Sequence, residues 1–360
     1  MSDIEPTKTT TAAEPTPAQP VVTQDDIQEE AKNVEAVKAD ADQPAAPQPA
    51  TAPTSEPAVA VPPAAPTTAP EAKTEPKAAE PSKTEEKVAE EPQNALTERF
   101  TQAEWNALKE FRKSLPEMLA AAYTEKADAK TSPITLWGVK IDPANPLDAK
   151  TSVVLMKFLR ARNLNPTAAH DMFVATLRWR DEFNVEAACK EEFPDDVFGK
   201  LGYIYGKDKE GRPVVYNVYG GNKDIKAVFG DVQRFLRWRV AFMEKSLQKL
   251  DFETVDQMIQ VHDYEGVSMS SRDANSKNAA SEASSIFSNH YPELLYKKFF
   301  VNVPSYLTWI FWIFKPLLPA ATLAKMSVVG TGAHTIGKSL LPHVNAKDLP
   351  KRYGGEADAF

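Results

Sequence analysis

Two side chains one residue apart, His262 and Tyr264 in the run Gln260-Val-His-Asp-Tyr264, are the strongest candidates for chemistry in this chain. Met258–Val261 reads as a core strand, and successive strand residues point to opposite faces. An imidazole and a phenol therefore project together from one face, while Asp263 points to the other. A second strand, rich in aromatic and β-branched residues, is read over Phe299–Val303 and is stopped by Pro304. The polar and basic segment Ser288-Asn-His-Tyr-Pro-Glu-Leu-Leu-Tyr-Lys-Lys298 leads into it. A paired imidazole and phenol opposite such a segment describe a ligand pocket. The plainer alternative is a core pair whose polar atoms are satisfied by neighbours or water.

Other chemistries find little support. Cys189 is the only cysteine, which excludes a disulfide framework and any multi-cysteine zinc or iron–sulfur site. His170, His290, His334 and His343 lie at no metal-ligand spacing and read as surface or capping residues. Gly332-Ala-His-Thr-Ile-Gly-Lys-Ser339 matches the phosphate-loop expression literally. It is refused, because the 21 residues that follow leave no room for a second nucleotide-binding strand, and Pro342 breaks the helix that would hold the phosphates. It reads as a loop before a short helix. Neither a Gly-x-Ser-x-Gly elbow nor a His-Glu-x-x-His helix occurs, so hydrolase chemistry has no basis and the chain is not expected to be an enzyme.

The elements that must position the pocket begin late in the sequence. Residues 1–94 hold 16 of the 29 prolines, no Leu, Gly, Phe, Trp or Tyr, and a net charge of −11. Such a segment cannot bury enough apolar surface to offset its ordering entropy and is expected to be disordered. Residues 95–360 carry +3, so the acidic overall balance belongs to the tail. The polar N-terminus has no apolar signal core, which predicts a cytoplasmic protein. The longest apolar run, Tyr306–Phe314, is far short of the roughly 20 residues that span a bilayer. Its Trp309 and Trp312 suit contact with a membrane surface.

Helical spacing starts at Leu96, with Thr101 and Glu104 forming a capping box. After a polar, proline-bearing connection over 124–148, helices are predicted over Thr151–Arg162 and from Pro166, capped by Asn165, through Trp179. From Phe193 the pattern changes. A hairpin over Tyr203–Tyr205 and Val214–Tyr219, a helix over 231–250, a strand at 257, a helix over 272–289, a strand at 299 and one near Met326–Val329 predict an α/β fold with a largely parallel sheet. The organisation expected is a tail (1–94), a helical subdomain (95–190) and a sheet-containing lobe (191–358).

Five segments occur in an order that resembles the CRAL-TRIO lipid-binding family over about residues 98–356: FLRARNLNPTAAHDMFVATLRWR, GRPVVYNVYG, HYPELLYKKFFVNVP, FKPLLPAATLAKMSVVG and LPKRYGG. The resemblance implies a sheet that floors a hydrophobic cavity, closed by a gate helix that falls at 306–314. It also implies that phosphatidylinositol is recognised through Arg162, Glu293 and Lys325, two cations for the phosphate and a carboxylate for inositol hydroxyls. VHDYEGVSM, NVYG, FLRWRVAFMEK and HYPELLYKKFFVNVP are more closely similar to the non-classical, haem-binding branch of fungal phosphatidylinositol transfer proteins. That likeness implies haem b, with Tyr264 as axial ligand to ferric iron, His262 beside it, and Tyr219, Arg239 and Lys298 lining the pocket. A phenolate is a hard donor suited to Fe(III), and the ferric ion and nearby cations such as Arg239 are expected to lower its pKa. The protein so implied carries phosphatidylinositol in phosphoinositide homeostasis, peripherally at the endoplasmic reticulum or other membranes. Nucleic acid is not expected as a partner, and a homodimer is left open. The alternatives are a haem-dependent enzyme or oxidant sensor, and a plain lipid carrier.

Overall fold

Thr101 opens the first helix in the way its sequence predicts. Its side chain accepts from the Glu104 amide, and the Glu104 carboxylate accepts from the Thr101 amide in return. The computed structural model describes residues 91–267, 274–303 and 324–360, all within one compact unit, Thr84–Phe360. Most of the expected tail and the apolar run at 306–314, with Trp309 and Trp312, lie outside the described residues. Contacts of the folded unit begin by Glu91, whose carboxylate pairs with Arg112 at 2.7 Å.

Helices α1 (Gln102–Lys113) and α2 (Leu115–Ala122) meet at Ser114, where Pro116 allows a helix start but not the continuation of α1. The stretch read as an irregular connection contains a small hairpin, β1 (Ile134–Leu136) and β2 (Val139–Ile141). Its turn at Trp137-Gly138 has positive φ at both residues, a two-residue geometry that Gly138 eases and Trp137 hides from sequence inspection. Helix α3 (Ala149–Arg160) is capped by Asp148, and α4 (Pro166–Phe183) by Asn165, with Pro166 in its first turn. Phe158 of α3 meets Phe173 of α4 edge-on, and Phe173 meets Phe111 of α1. All three are fully buried, each contributing about 1.5–3 kcal/mol. Short helices α5 (Val185–Lys190) and α6 (Asp195–Phe198) lead to the sheet.

The sheet runs β3 (Gly202–Lys207), β4 (Pro213–Val218), β5 (Met258–Asp263), β6 (Leu295–Val301) and β7 (Met326–Val328) in spatial order. The hairpin β3–β4 is antiparallel and every later pairing is parallel. The connections between β4, β5 and β6 carry α7 (Ile225–Phe229), α8 (Val232–Leu247) and α9 (Ala274–His290). Helix α10 (Ala333–Leu340) follows β7. It starts inside the phosphate-loop-like motif, so Ala333 onward is helix rather than loop, with Ile336 and Gly337 buried.

Parity assigns the two sheet faces. Val214, Tyr216, Val218, Ile259, Val261, Phe299 and Val301 share a core with Ile336, Leu340, Leu349 and Tyr353. The alternate residues Asn217, Gln260, His262, Lys298 and Phe300 occupy the other face, aligned by the registers Asn217↔His262, Gln260↔Lys298 and His262↔Phe300. One core joins the N-terminal helices to residues of the lobe, including Val215, Phe252, Met258 and Leu294.

Candidate functional site

The polar face of the sheet forms the floor of a cavity of about 870 Å³, well within the roughly 300–1,000 Å³ of ligand sites. Helix α8 contributes one wall through Phe235, Arg239 and Met243, a strict four-residue spacing. Helix α9 contributes another through Ser276, Ala280, Ser284, Phe287 and Ser288. All five residues expected to hold haem, Tyr219, Arg239, His262, Tyr264 and Lys298, line this single cavity.

The two phenols sit just past the C-terminal ends of parallel strands, where open α/β sheets place their ligands. Tyr219 follows β4 and donates its amide to the Asp263 carbonyl at 2.9 Å, while Tyr264 follows β5 and donates to the Val301 carbonyl at 3.0 Å. The rings lie 5.0 Å apart. Tyr219 hydroxyl is 2.5 Å from His262 Nδ1, and His262 Nε2 is 3.2 Å from Gln260 Oε1. Because a carboxamide oxygen only accepts, Nε2 carries the proton and Nδ1 accepts from Tyr219. Burial, then the charges of Lys298 and Arg239, hold the His262 pKa well below its ordinary value, so this ring is neutral. Among the described residues the Tyr264 hydroxyl has no hydrogen-bond partner.

The cations are equally exposed to the cavity. Among the described residues no Asp or Glu lines it, and neither Arg239 nor Lys298 has a hydrogen bond or ion pair. Arg239 rests over Phe287 at 4.7 Å and Lys298 over Phe300 at 5.8 Å. Burial lowers the Arg239 pKa, and burial followed by Arg239 pulls Lys298 down to about 8. The field of Arg239 differs from expectation. Tyr264 is pushed up by burial and then by Tyr219, whereas Arg239 acts to lower Tyr219, against the dominant effect of burial on that group. The guanidinium thus acts on Tyr219 rather than on Tyr264.

The expected lipid-headgroup residues are only partly brought together. Lys325 and Glu293 form an ion pair at 2.8 Å. Arg162 donates to the carbonyl of Ala161 at 3.0 Å, and no hydrogen bond or ion pair among the described residues connects it to that pair. A second cation, Lys157, reaches Glu293 at its main-chain carbonyl, and was missed in the sequence because it sits mid-helix in an apolar run. Its fully buried ammonium donates to Asp256 Oδ2 at 2.7 Å and to the Glu293 carbonyl at 3.0 Å. Glu293 itself has φ +53°, a conformation held by that contact and by Gln257. Tyr291, also unanticipated, lines the cavity and donates its hydroxyl to Glu244, which pairs with Arg180. His290 is half-buried against Trp179, ring centres 4.4 Å apart, with its pKa lowered to about 4 by burial and Arg180. It is a packing residue rather than a surface one.

Comparison with known proteins agrees with this architecture. The CRAL/TRIO domain model matches residues 198–355, and the CRAL/TRIO N-terminal domain model matches residues 107–175, together more than half of the chain. The chain belongs to the CRAL-TRIO family. A CRAL-TRIO relative from Botryotinia fuckeliana, phosphatidylinositol transfer protein sfh5, is 38% identical over 265 residues, covering 69% of this chain and 57% of that protein. Patellin-5 of Arabidopsis thaliana is 35% identical over 264 residues, 71% of this chain and 37% of its own length. The crystal structure of Sfh5 matches with a TM-score of 0.56 and 28% identity over 66% of this chain and 83% of that one. The chain spans less than two thirds of the length of the first curated relatives it matches. Among the described residues no helix is long and apolar enough to cross a membrane.

Proposed function

We propose that this protein is a phosphatidylinositol carrier whose cavity would also hold haem b, with Tyr264 as the protein donor to its iron. The observation that carries the haem reading is the Tyr264 hydroxyl, which faces the cavity with no hydrogen-bond partner among the described residues, in a space that Arg239 and Lys298 also line. Among the described residues no group of three His, Cys, Asp or Glu side chains is gathered for a metal ion. A metal held here must bring most of its ligands with it, as a porphyrin does, and needs a single protein donor. The residues fit that requirement: one uncommitted phenol, aromatic walls from Phe300, Phe287 and Phe235, and Arg239 and Lys298 for two propionates. When bound, the group would supply a ferric centre that favours phenolate oxygen.

The chain's own residues divide the remaining work. His262 is engaged at both ring nitrogens and orients Tyr219, so it supports the phenol pair rather than competing for metal. With both ring nitrogens engaged, His262 is not a free acid–base group for peroxide chemistry, which favours a carrier over a peroxide-processing enzyme or oxidant sensor. In the absence of haem, burial and Tyr219 oppose the ionisation of Tyr264. Glu293 and Lys325 form the headgroup pair for phosphatidylinositol, with the acyl chains lodged among Met243, Leu294 and Leu295. The protein works as a soluble, cytoplasmic carrier that docks peripherally on intracellular membranes such as the endoplasmic reticulum.

The test is the absorption spectrum of the purified full chain and of Tyr264→Phe. The wild-type protein should show a Soret band, and the variant should fold normally while its haem content collapses. Full haem retention with an unchanged spectrum in Tyr264→Phe would assign the metal to another residue. A colourless wild-type protein that transfers phosphatidylinositol would leave the plain carrier.

A further inference from the structure

Lys298 stands apart from the other described lysines that line cavities or cores. Lys157, the other deeply buried one, is committed to Asp256 and to two carbonyls. Lys223, at the rim of the same cavity, is exposed and donates to the Gly266 carbonyl. Among the described residues Lys298 has neither a carboxylate nor a carbonyl partner. Its amine lies between the ring of Phe300 and the positive field of Arg239, inside a cavity with no acidic lining residue among the described residues. The remaining titratable groups among the described residues that line this space are neutral His262 and the phenols Tyr219, Tyr264 and Tyr291, none of which stabilises an ammonium as a carboxylate would. An amine desolvated in an apolar pocket next to a second cation is the arrangement that activates lysine as a nucleophile.

We propose that Lys298 is a covalent capture site for carbonyl compounds, and that the class favoured is an aldehyde on a largely apolar body bearing an anionic group, with the anion on Arg239. The Lys298 amine adds to the carbonyl carbon, forming a C–N bond. The carbinolamine then loses water, leaving an imine. One water is released per adduct, and no oxidant or reductant takes part. The apolar side chains of Phe235, Met243 and Phe287 accommodate the body of the ligand. With its pKa held near 8, the amine is neutral to about a tenth at pH 7, on the order of a hundredfold more than an ordinary lysine. This reading requires no metal and no lipid phosphate, and so stands independently of the haem assignment.

The experiment treats the full chain with pyridoxal 5′-phosphate at pH 7.5, traps imines with borohydride, and maps the modified lysines by peptide mass spectrometry. Lys298 should be labelled at least ~10-fold faster than any surface lysine, given its larger neutral fraction. Pyridoxal, which lacks the phosphate, should react more slowly there, and Arg239→Gln should erase that difference. Lys298→Arg should remove the fast phase, and phosphatidylinositol vesicles that fill the cavity should suppress it. Labelling confined to Lys223 and surface lysines, or a Lys298 rate no greater than theirs, overturns the proposal. The wild-type map is decisive even if a variant fails to fold.

Discussion

Replacing Asp263 by Asn tests whether the end of β5 is held from behind the cavity. Asp263 is fully buried on the face opposite His262. Its Oδ2 accepts from Tyr353 hydroxyl at 2.8 Å and from Arg352 at 2.9 Å, and its Oδ1 accepts from Asn302 at 2.8 Å and from the Glu265 amide at 2.9 Å. Asparagine keeps the shape but offers one accepting oxygen where four donors converge. Hydrogen bonds to a charged group are worth about 1.5–3 kcal/mol each, and breaking a buried pair costs about 3–5 kcal/mol. The Arg352 share must be discounted, because its side chain is 35% exposed and can rely on Glu265, 2.8 Å away. A loss of about 3 kcal/mol remains, which for a folded unit of this size lowers Tm by roughly 6 °C. Thermal melts of the full chain, followed by far-UV circular dichroism, measure it. Arg352→Ala should cost only about 1 kcal/mol. The Tyr219 amide bonds the Asp263 carbonyl, so ligand retention in Asp263→Asn should fall further than stability alone implies. A Tm within about 2 °C of wild type would refute the reasoning, since a four-donor buried carboxylate cannot be that expendable.

A lysine with a pKa near 8 is charged below that pH and neutral above it, so the affinity of the cavity for a soluble anionic amphiphile such as dodecanoate should drop roughly tenfold between pH 7 and pH 9, as read by calorimetry. The same lowered pKa penalises the folded state at neutral pH, and that penalty should lift as pH rises from about 8 towards the unfolded lysine value. Glu293→Ala and Lys325→Ala should each slow phosphatidylinositol transfer while costing less than about 1 kcal/mol of stability, because the pair is a third exposed. Wild-type transfer rates in both variants would move the headgroup site elsewhere. Trp309→Ser with Trp312→Ser should weaken vesicle flotation, and unaltered flotation would return that apolar run to a core role.

Much of the lobe was legible because its strands announce themselves. Gln260-Val-His-Asp-Tyr264 alternates faces as read, and the hairpin, both long helices and the short strand near Met326 fall close to their expected positions. The helix starts at Thr101 and Asn165 were visible through capping chemistry. What escaped notice lacked a local signal. The β1–β2 hairpin turns on Trp137-Gly138, where an aromatic residue takes positive φ. Lys157 looks like one charge on an apolar helix, and only the fold brings Asp256 and Glu293 to it from about a hundred and more residues away. The cavity residues were identified through likeness to a family, since nothing in composition links Tyr219 or Arg239 to Tyr264. That likeness could not predict which phenol the Arg239 field reaches, because that depends on side-chain placement.

Immediately after Tyr219 the chain continues Gly220-Gly221, and neither has room for a side chain. A Cβ on Gly220 would run into the carbonyl oxygen of Glu265, and one on Gly221 into that of Lys200. The backbone beyond β4 is thus pressed directly against the backbone beyond β5, and the positions that bear the two phenols are set by main chain meeting main chain. Exchanging either ring for another side chain changes what the cavity presents without relocating the point from which it is presented. Within this scaffold, the donor chemistry at the end of the sheet is a matter of two codons, open to retuning by mutation while the surrounding fold is left as it stands.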